Sequence, residues 1–174
     1  KAAGIENYIF VQSAGNGVAK EGTPLDAVIN GSVCSMTEEV YNSFVKETPS
    51  APMPLEEMRN HTLIVGAAGN KEQNETLYPP ASSSNYGSMV NLYAPGVEIL
   101  SAVPNDMYQK YGGTSMAAPI VTGAVSLVWS VNKDLSYYDV NKIILEEAPE
   151  VVNAPNGTTQ RMLNVGNSVL RALN

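Results

Sequence analysis

Gly112-Gly113-Thr114-Ser115 delivers a serine hydroxyl at the point where two glycines give way to a long apolar helical pattern, which begins at Met116 and continues to Val131. A helix start leaves its first backbone N–H groups without intrahelical partners, and the aligned peptide dipoles put partial positive charge there. A hydroxyl at that position lies beside donors suited to a developing oxyanion, so the chemistry on offer is attack on a carbonyl. Pro119 falls a few residues into the pattern and is expected in the first turn, where a missing N–H is harmless. The plain alternative is a Ser/Thr cap on a buried helix.

A serine hydroxyl is a weak nucleophile at neutral pH. It needs a base within hydrogen-bond reach, and that base needs a third group to orient it. The sequence has one histidine, His61, directly before an apolar run that begins at Thr62. The order His61, Asp106, Ser115 is that of a chymotrypsin-type triad, but no Gly-Asp-Ser-Gly string is present and the pattern mixes strands with helices. Gly113-X-Ser115 has the start of a nucleophile elbow, yet Ala117 replaces its last glycine and no histidine follows the serine. A self-contained triad is therefore not expected, and His61 is expected at the surface or at a strand edge.

The string Gly113-Thr114-Ser115-Met116-Ala117-Ala118-Pro119, continued by Val121-Thr122-Gly123-Ala124, resembles the nucleophile motif of the subtilisin-like serine proteases, the subtilases. Further upstream, Ile9-Phe10-Val11-Gln12 reads as a strand ending in Ser13-Ala14-Gly15-Asn16-Gly17. In the subtilases such a strand supplies the oxyanion-hole asparagine, so the resemblance points to Asn16, acting with the backbone N–H of Ser115. It also implies that Ser13, Ala14 and Gly15 form part of the specificity-pocket floor, and that Thr114 borders the substrate. A rival string, Thr62–Gly69 followed by Asn70, is also a strand ending in Ala-Gly-Asn. Order favours Asn16: the family pattern runs from oxyanion strand to Val-Gly-Ala strand (here Val65-Gly66-Ala67), to Ala-Pro-Gly turn (Ala94-Pro95-Gly96), to nucleophile.

The same resemblance shows what is not here. The family's aspartate and its His-Gly-Thr-His-type string precede the oxyanion strand, and neither string occurs in this sequence. The expected parent is an endopeptidase forming an acyl-enzyme on Ser115, of which these residues are the carboxyl-terminal portion of one catalytic domain. The piece alone is expected to be nearly inactive. The competing expectation is a non-catalytic binding or interaction module of the same fold.

Around these residues the elements alternate between strand and helix. The expected fold is α/β, three-layered, with a mainly parallel sheet and flanking helices, incomplete for want of the amino-terminal half. Residues 1–8 read as a helix end with Gly4 as stop signal. Residues 18–61 form a longer insert, with a helix after a Thr37 cap and a Pro-rich break at 48–54. Val97–Ala102 alternates like a half-exposed strand, and 104–111 reads as a connector. Ser136 and Asp139 have capping-box spacing ahead of Val140, Ile143 and Ile144. Met162-Leu163-Asn164-Val165 and the apolar turns after it match the family's closing strand-helix, with Met162 where a glycine is usual.

Composition bounds the rest. A chain of 174 residues with 44% hydrophobic and 16% charged residues is long and apolar enough for one sizeable core. Its formal net charge of -7 argues against nucleic acid or an anionic membrane surface as partner. The single cysteine, Cys34, leaves no internal disulfide. No signal-peptide pattern opens the sequence. The apolar helix near Met116 is read as a core helix too short for a membrane span. No cofactor is required, and no residue is singled out for the structural calcium that the family accommodates. Partners implied are a peptide or protein substrate, the missing amino-terminal half, and a second copy docking through exposed apolar surface. The parent is expected outside the cell or on its surface.

Overall fold

The structure, a computed structural model, describes residues 7–17, 37–46, 53–154 and 157–174. Three apolar runs form a parallel sheet from β1 (Phe10–Ser13), β2 (Thr62–Ala68) and β3 (Leu92–Pro95), in that spatial order. Ser13 stands opposite Val65, and Ala68 opposite Pro95, so the carboxyl ends of the strands lie together. Every residue of β2 is buried, which explains why Thr62–Ala68 is almost continuously apolar instead of alternating. Leu63, Val65 and Ala67 enter one core, and Ile64 and Ala68 enter a second on the opposite face with Ala14, Tyr93 and Val152.

The first core is closed by α3 (Thr114–Val131), which packs on all three strands. Ala117, Val121, Ala124, Val125 and Val128 make its buried stripe at helical spacing. Behind it pack α4 (Tyr137–Glu146) and α5 (Val165–Ala172). The Ser136 cap is a full capping box: its hydroxyl accepts from the Asp139 N–H, and the Asp139 carboxylate accepts from the Ser136 N–H. Thr37 caps α1 (Glu38–Val45) as expected, and α2 (Leu55–Asn60) leads directly into β2.

Four expectations are corrected. Residues 104–111 are no mere connector: β4 (Ile99–Val103) and β5 (Met107–Tyr111) form an antiparallel hairpin. The chain reverses through Asn105 and Asp106, both at positive φ (69° and 56°), a region that short polar side chains tolerate. Second, α3 starts at Thr114, so Pro119 lies beyond the first turn. It thereby removes the N–H that would have bonded the Ser115 carbonyl. Third, α3 is 18 residues long and apolar enough, by length and composition alone, to cross a membrane, although it packs here on the sheet. Fourth, the closing strand lies earlier than Met162, at β7 (Thr159–Arg161), paired with β6 (Glu150–Asn153). Met162 lies just past it: its N–H donates to the Pro149 carbonyl at 2.9 Å, and it forms a parallel bridge to Tyr93 reinforced by Leu163 N–H donating to the Tyr93 carbonyl at 2.8 Å.

The helix end expected at 1–8 falls mostly outside the described residues, as do much of the 18–61 segment and Cys34.

Candidate active site

The amino end of α3 is suspended from the carboxyl ends of the sheet. Gly96, just past β3, donates to the Ala68 carbonyl at 3.0 Å and accepts from the Gly113 N–H at 2.7 Å. Gly113 has φ +129°, and a Cβ there would lie 2.9 Å from Asn16 Nδ2 and 3.0 Å from Oδ1. Glycine is needed on both counts: the backbone conformation disfavours side chains, and the Asn16 amide occupies the space.

The N–H groups of this helix start can be followed one at a time. Gly113 donates to Gly96. Thr114 donates to Asn16 Oδ1 at 2.9 Å. Met116 turns back to the Gly113 carbonyl at 3.0 Å. The Ser115 N–H has no acceptor among the described residues, and neither has its hydroxyl, and the residue is exposed. Of the orphan donors a helix must leave, one belongs to the serine itself.

Asn16 is brought here from 98 residues away. Its Oδ1 accepts from both the Thr114 N–H and the Thr114 hydroxyl, the latter at 3.1 Å. A backbone N–H can only donate, so the amide orientation is fixed: oxygen toward Thr114, Nδ2 away from it. Nδ2 has no partner among the described residues, and Asn16 is exposed. Thr114 itself is fully buried, its hydroxyl committed to Asn16. Ser13 is half-buried at the end of β1, Ala14 is 1% exposed with its methyl in the second core, and Gly15 carries φ +91°.

Other sequence candidates lie elsewhere. Asn70 is exposed beyond β2, and no hydrogen bond among the described residues ties it to Ser115. His61 is not at the surface: it is 2% exposed. Its ring stacks between Tyr8 (centroids 4.2 Å) and Tyr137 (3.5 Å). Nδ1 sits 2.7 Å from the Tyr8 carbonyl. A carbonyl only accepts, so Nδ1 carries the proton. His61 precedes the amino end of β2, whereas the Asn16–Ser115 constellation gathers at the carboxyl end. Seven strand residues at about 3.3 Å each separate those ends by about 23 Å. Asp106 is exposed in the β4–β5 turn. The three residues form no triad.

Sequence reading missed two side chains behind the site, Ser84 and Asn85. Both are buried and both hydrogen-bond to backbone near Asn16 or to β2. In Ser82-Ser83-Ser84-Asn85 they look like any solvated turn, and nothing in that string distinguishes them. Among the described residues no group of three or more His, Cys, Asp or Glu is placed to hold a metal ion.

The family model described as "Subtilase family" matches residues 1–167. The chain belongs to the subtilase family. Subtilisin-like protease 10 of Arthroderma otae is 34% identical over 99 residues, covering 56% of this chain and 24% of its own length. Subtilisin-like serine protease Pen ch 13 of Penicillium rubens is 32% identical over 127 residues, covering 63% of this chain and 32% of its own. Among solved structures, a cold-adapted subtilisin-like serine proteinase superposes with a TM-score of 0.61 at 25% identity, over 91% of this chain and 45% of that one. A structure of the subtilase cytotoxin SubAB assembly superposes with a TM-score of 0.65 at 19% identity, over 95% and 49%. The subtilase residues described here thus span a quarter to a third of the length of these curated relatives and just under half of the solved chains. The α/β architecture with its parallel sheet is the subtilase one, in part.

Proposed function

We propose that the full-length protein is a serine endopeptidase and that these residues are the carboxyl-terminal portion of its catalytic domain, with a longer insert at about 18–61. Ser115 Oγ attacks the scissile carbonyl, giving its proton to a histidine encoded outside these residues, which an aspartate orients. The carbonyl oxygen becomes an oxyanion that accepts from the Ser115 N–H and from Asn16 Nδ2. Collapse expels the amine, which takes the proton back, and leaves an acyl-enzyme that water hydrolyses. The observation that supports this reading is that the Ser115 N–H and Asn16 Nδ2 are both uncommitted among the described residues, while Thr114, next to the exposed Ser115, holds the Asn16 amide by its oxygen. Removing one such donor costs about 2.7–4 kcal/mol of transition-state stabilisation.

The piece by itself lacks a base, and triad loss in subtilisin costs about 2 × 10⁶ in turnover. It is therefore nearly inactive alone. Its exposed Phe10 and Leu127, with Leu100 and Tyr108 on the hairpin, favour self-association, which light scattering checks; a monodisperse monomer counts against it. The substrate is a peptide or protein, and the protein acts outside the cell or at its surface.

A fluorophosphonate probe tests the reading. It labels Ser115 in the full-length protein and leaves the isolated piece unlabelled. Labelling of neither would make the chain a non-catalytic module. Brisk labelling of the piece, abolished by His61→Ala, would replace the reading by a triad internal to these residues.

A further inference from the structure

The Asn16 amide is only as well aimed as the turn that carries it. That turn, residues 14–17, has Gly15 at φ +91° and no helix or strand of its own beyond an isolated bridge between Asn16 and Ser84. Three backbone groups flank Asn16 within it, and all three are taken by a single residue. Asn85 Nδ2 donates to the Ala14 carbonyl at 2.8 Å. Asn85 Oδ1 accepts from the Gly17 N–H at 3.1 Å. The Asn85 N–H donates to the Gly15 carbonyl at 3.0 Å. Asn85 is 0% exposed, and its Nδ2 lies 2.8 Å from where a Cβ on Gly15 would stand. Asn85 is anchored in turn: Ser84 Oγ donates to the Asn85 carbonyl at 2.9 Å and accepts from the Ala67 N–H in β2 at 2.9 Å.

We propose that Asn85, tied to β2 through Ser84, is a positioning residue for the carbonyl-hydrolysing site: it straps the 14–17 turn so that Asn16 Nδ2 is aimed at the oxyanion. This rests on the oxyanion reading of Asn16. The strap matches the chemistry of its load. An asparagine side chain is one donor and one acceptor at fixed spacing, and the turn offers one carbonyl and one N–H on either side of Asn16. No aliphatic residue of similar size supplies either, and leaving the buried Ala14 carbonyl and the half-buried Gly17 N–H unpaired would force the turn to shift. Misplacement of a catalytic group by about 1 Å costs on the order of 10²-fold in rate.

The test is a double-mutant cycle in the full-length protein, with kcat and KM measured separately on a peptide substrate. Asn85→Ala alone lowers kcat about 10–100-fold with KM little changed. In an Asn16→Ala background it lowers kcat no further, because the group it aims is gone. An equal fold-loss in both backgrounds, or no loss in either, overturns the strap. Asn85→Asp is the near-isosteric second variant. Its ionised carboxylate opposes the Ala14 carbonyl, acceptor against acceptor, whereas the protonated acid donates there and still accepts from Gly17. The kcat of Asn85→Asp relative to the parent therefore rises as pH falls; a ratio flat with pH overturns the proposal. Failure of both variants to fold assigns Asn85 to stability alone and overturns it too. If Asn16→Ala leaves kcat unchanged, the oxyanion reading falls separately. The strap is then judged by the Asn16 side-chain amide resonances, which must move in Asn85→Ala for it to stand.

Discussion

The two ends of β2 make an instructive pair. Each gathers residues able to do chemistry from distant parts of the chain. At the amino end, His61 meets Tyr8 and Tyr137, and its Nδ1–H is spent on a backbone carbonyl. At the carboxyl end, Asn16 meets Thr114, the neighbour of Ser115, and two donors and a hydroxyl are left unspent among the described residues. The histidine at the amino end is closed in by aromatic faces, whereas Ser115 and Asn16 at the carboxyl end are exposed. A reactive residue type becomes a site when the fold withholds partners from it, and a core residue when the fold supplies them.

The sharpest way to break that contrast is at the serine. Ser115→Ala in the full-length protein abolishes fluorophosphonate labelling and lowers turnover by about 10⁶; residual labelling would mean another nucleophile. Asn16→Ala comes next, with kcat down about 10²–10³ and KM nearly constant in steady-state assays. At the other end the effect is on stability. His61→Ala empties the slot between two tyrosine rings and costs roughly 2–4 kcal/mol in urea unfolding, while the labelling rate of Ser115 is unchanged. A loss of labelling there would make the two ends one site.

The smallest effect belongs to the α4 cap. Ser136→Ala costs about 1 kcal/mol and also changes the acid limb of stability. The Ser136 hydroxyl, then its backbone N–H, hold the Asp139 carboxylate below its ordinary value of 3.8. A lowered carboxylate contributes stability above 3.8 that disappears as pH falls through its lower value in the fold. Acid titration of thermal unfolding is therefore flatter for Ser136→Ala than for the parent in that range.

What could be read from the residues beforehand follows burial. The runs Phe10–Ser13, Thr62–Ala68 and Leu92–Pro95 and the stripe from Ala117 to Val128 are legible because their periodicity is their contact with a core. β5 is not, since all five of its residues are exposed and its reversal uses Asn105 and Asp106 without a glycine. Ser115 and Asn16 stand in short distinctive strings. Asn85 does not: its role consists of hydrogen bonds to residues 68 and 71 positions away, and a polar loop residue looks the same whether it faces water or replaces it. The burial of His61 is illegible for a related reason: its two stacking partners, Tyr8 and Tyr137, are 53 and 76 positions distant, and no local pattern announces them.

The bonds from Thr114 to Asn16 also set a schedule. Synthesis at about 5–20 residues per second puts roughly 5–20 s between the emergence of one and the other. Throughout that interval the nascent polypeptide carries the Asn16 turn without the helix start that will hold its amide by the oxygen. The two elements that hold the Asn16 amide in place therefore meet only after the last of their residues has been made.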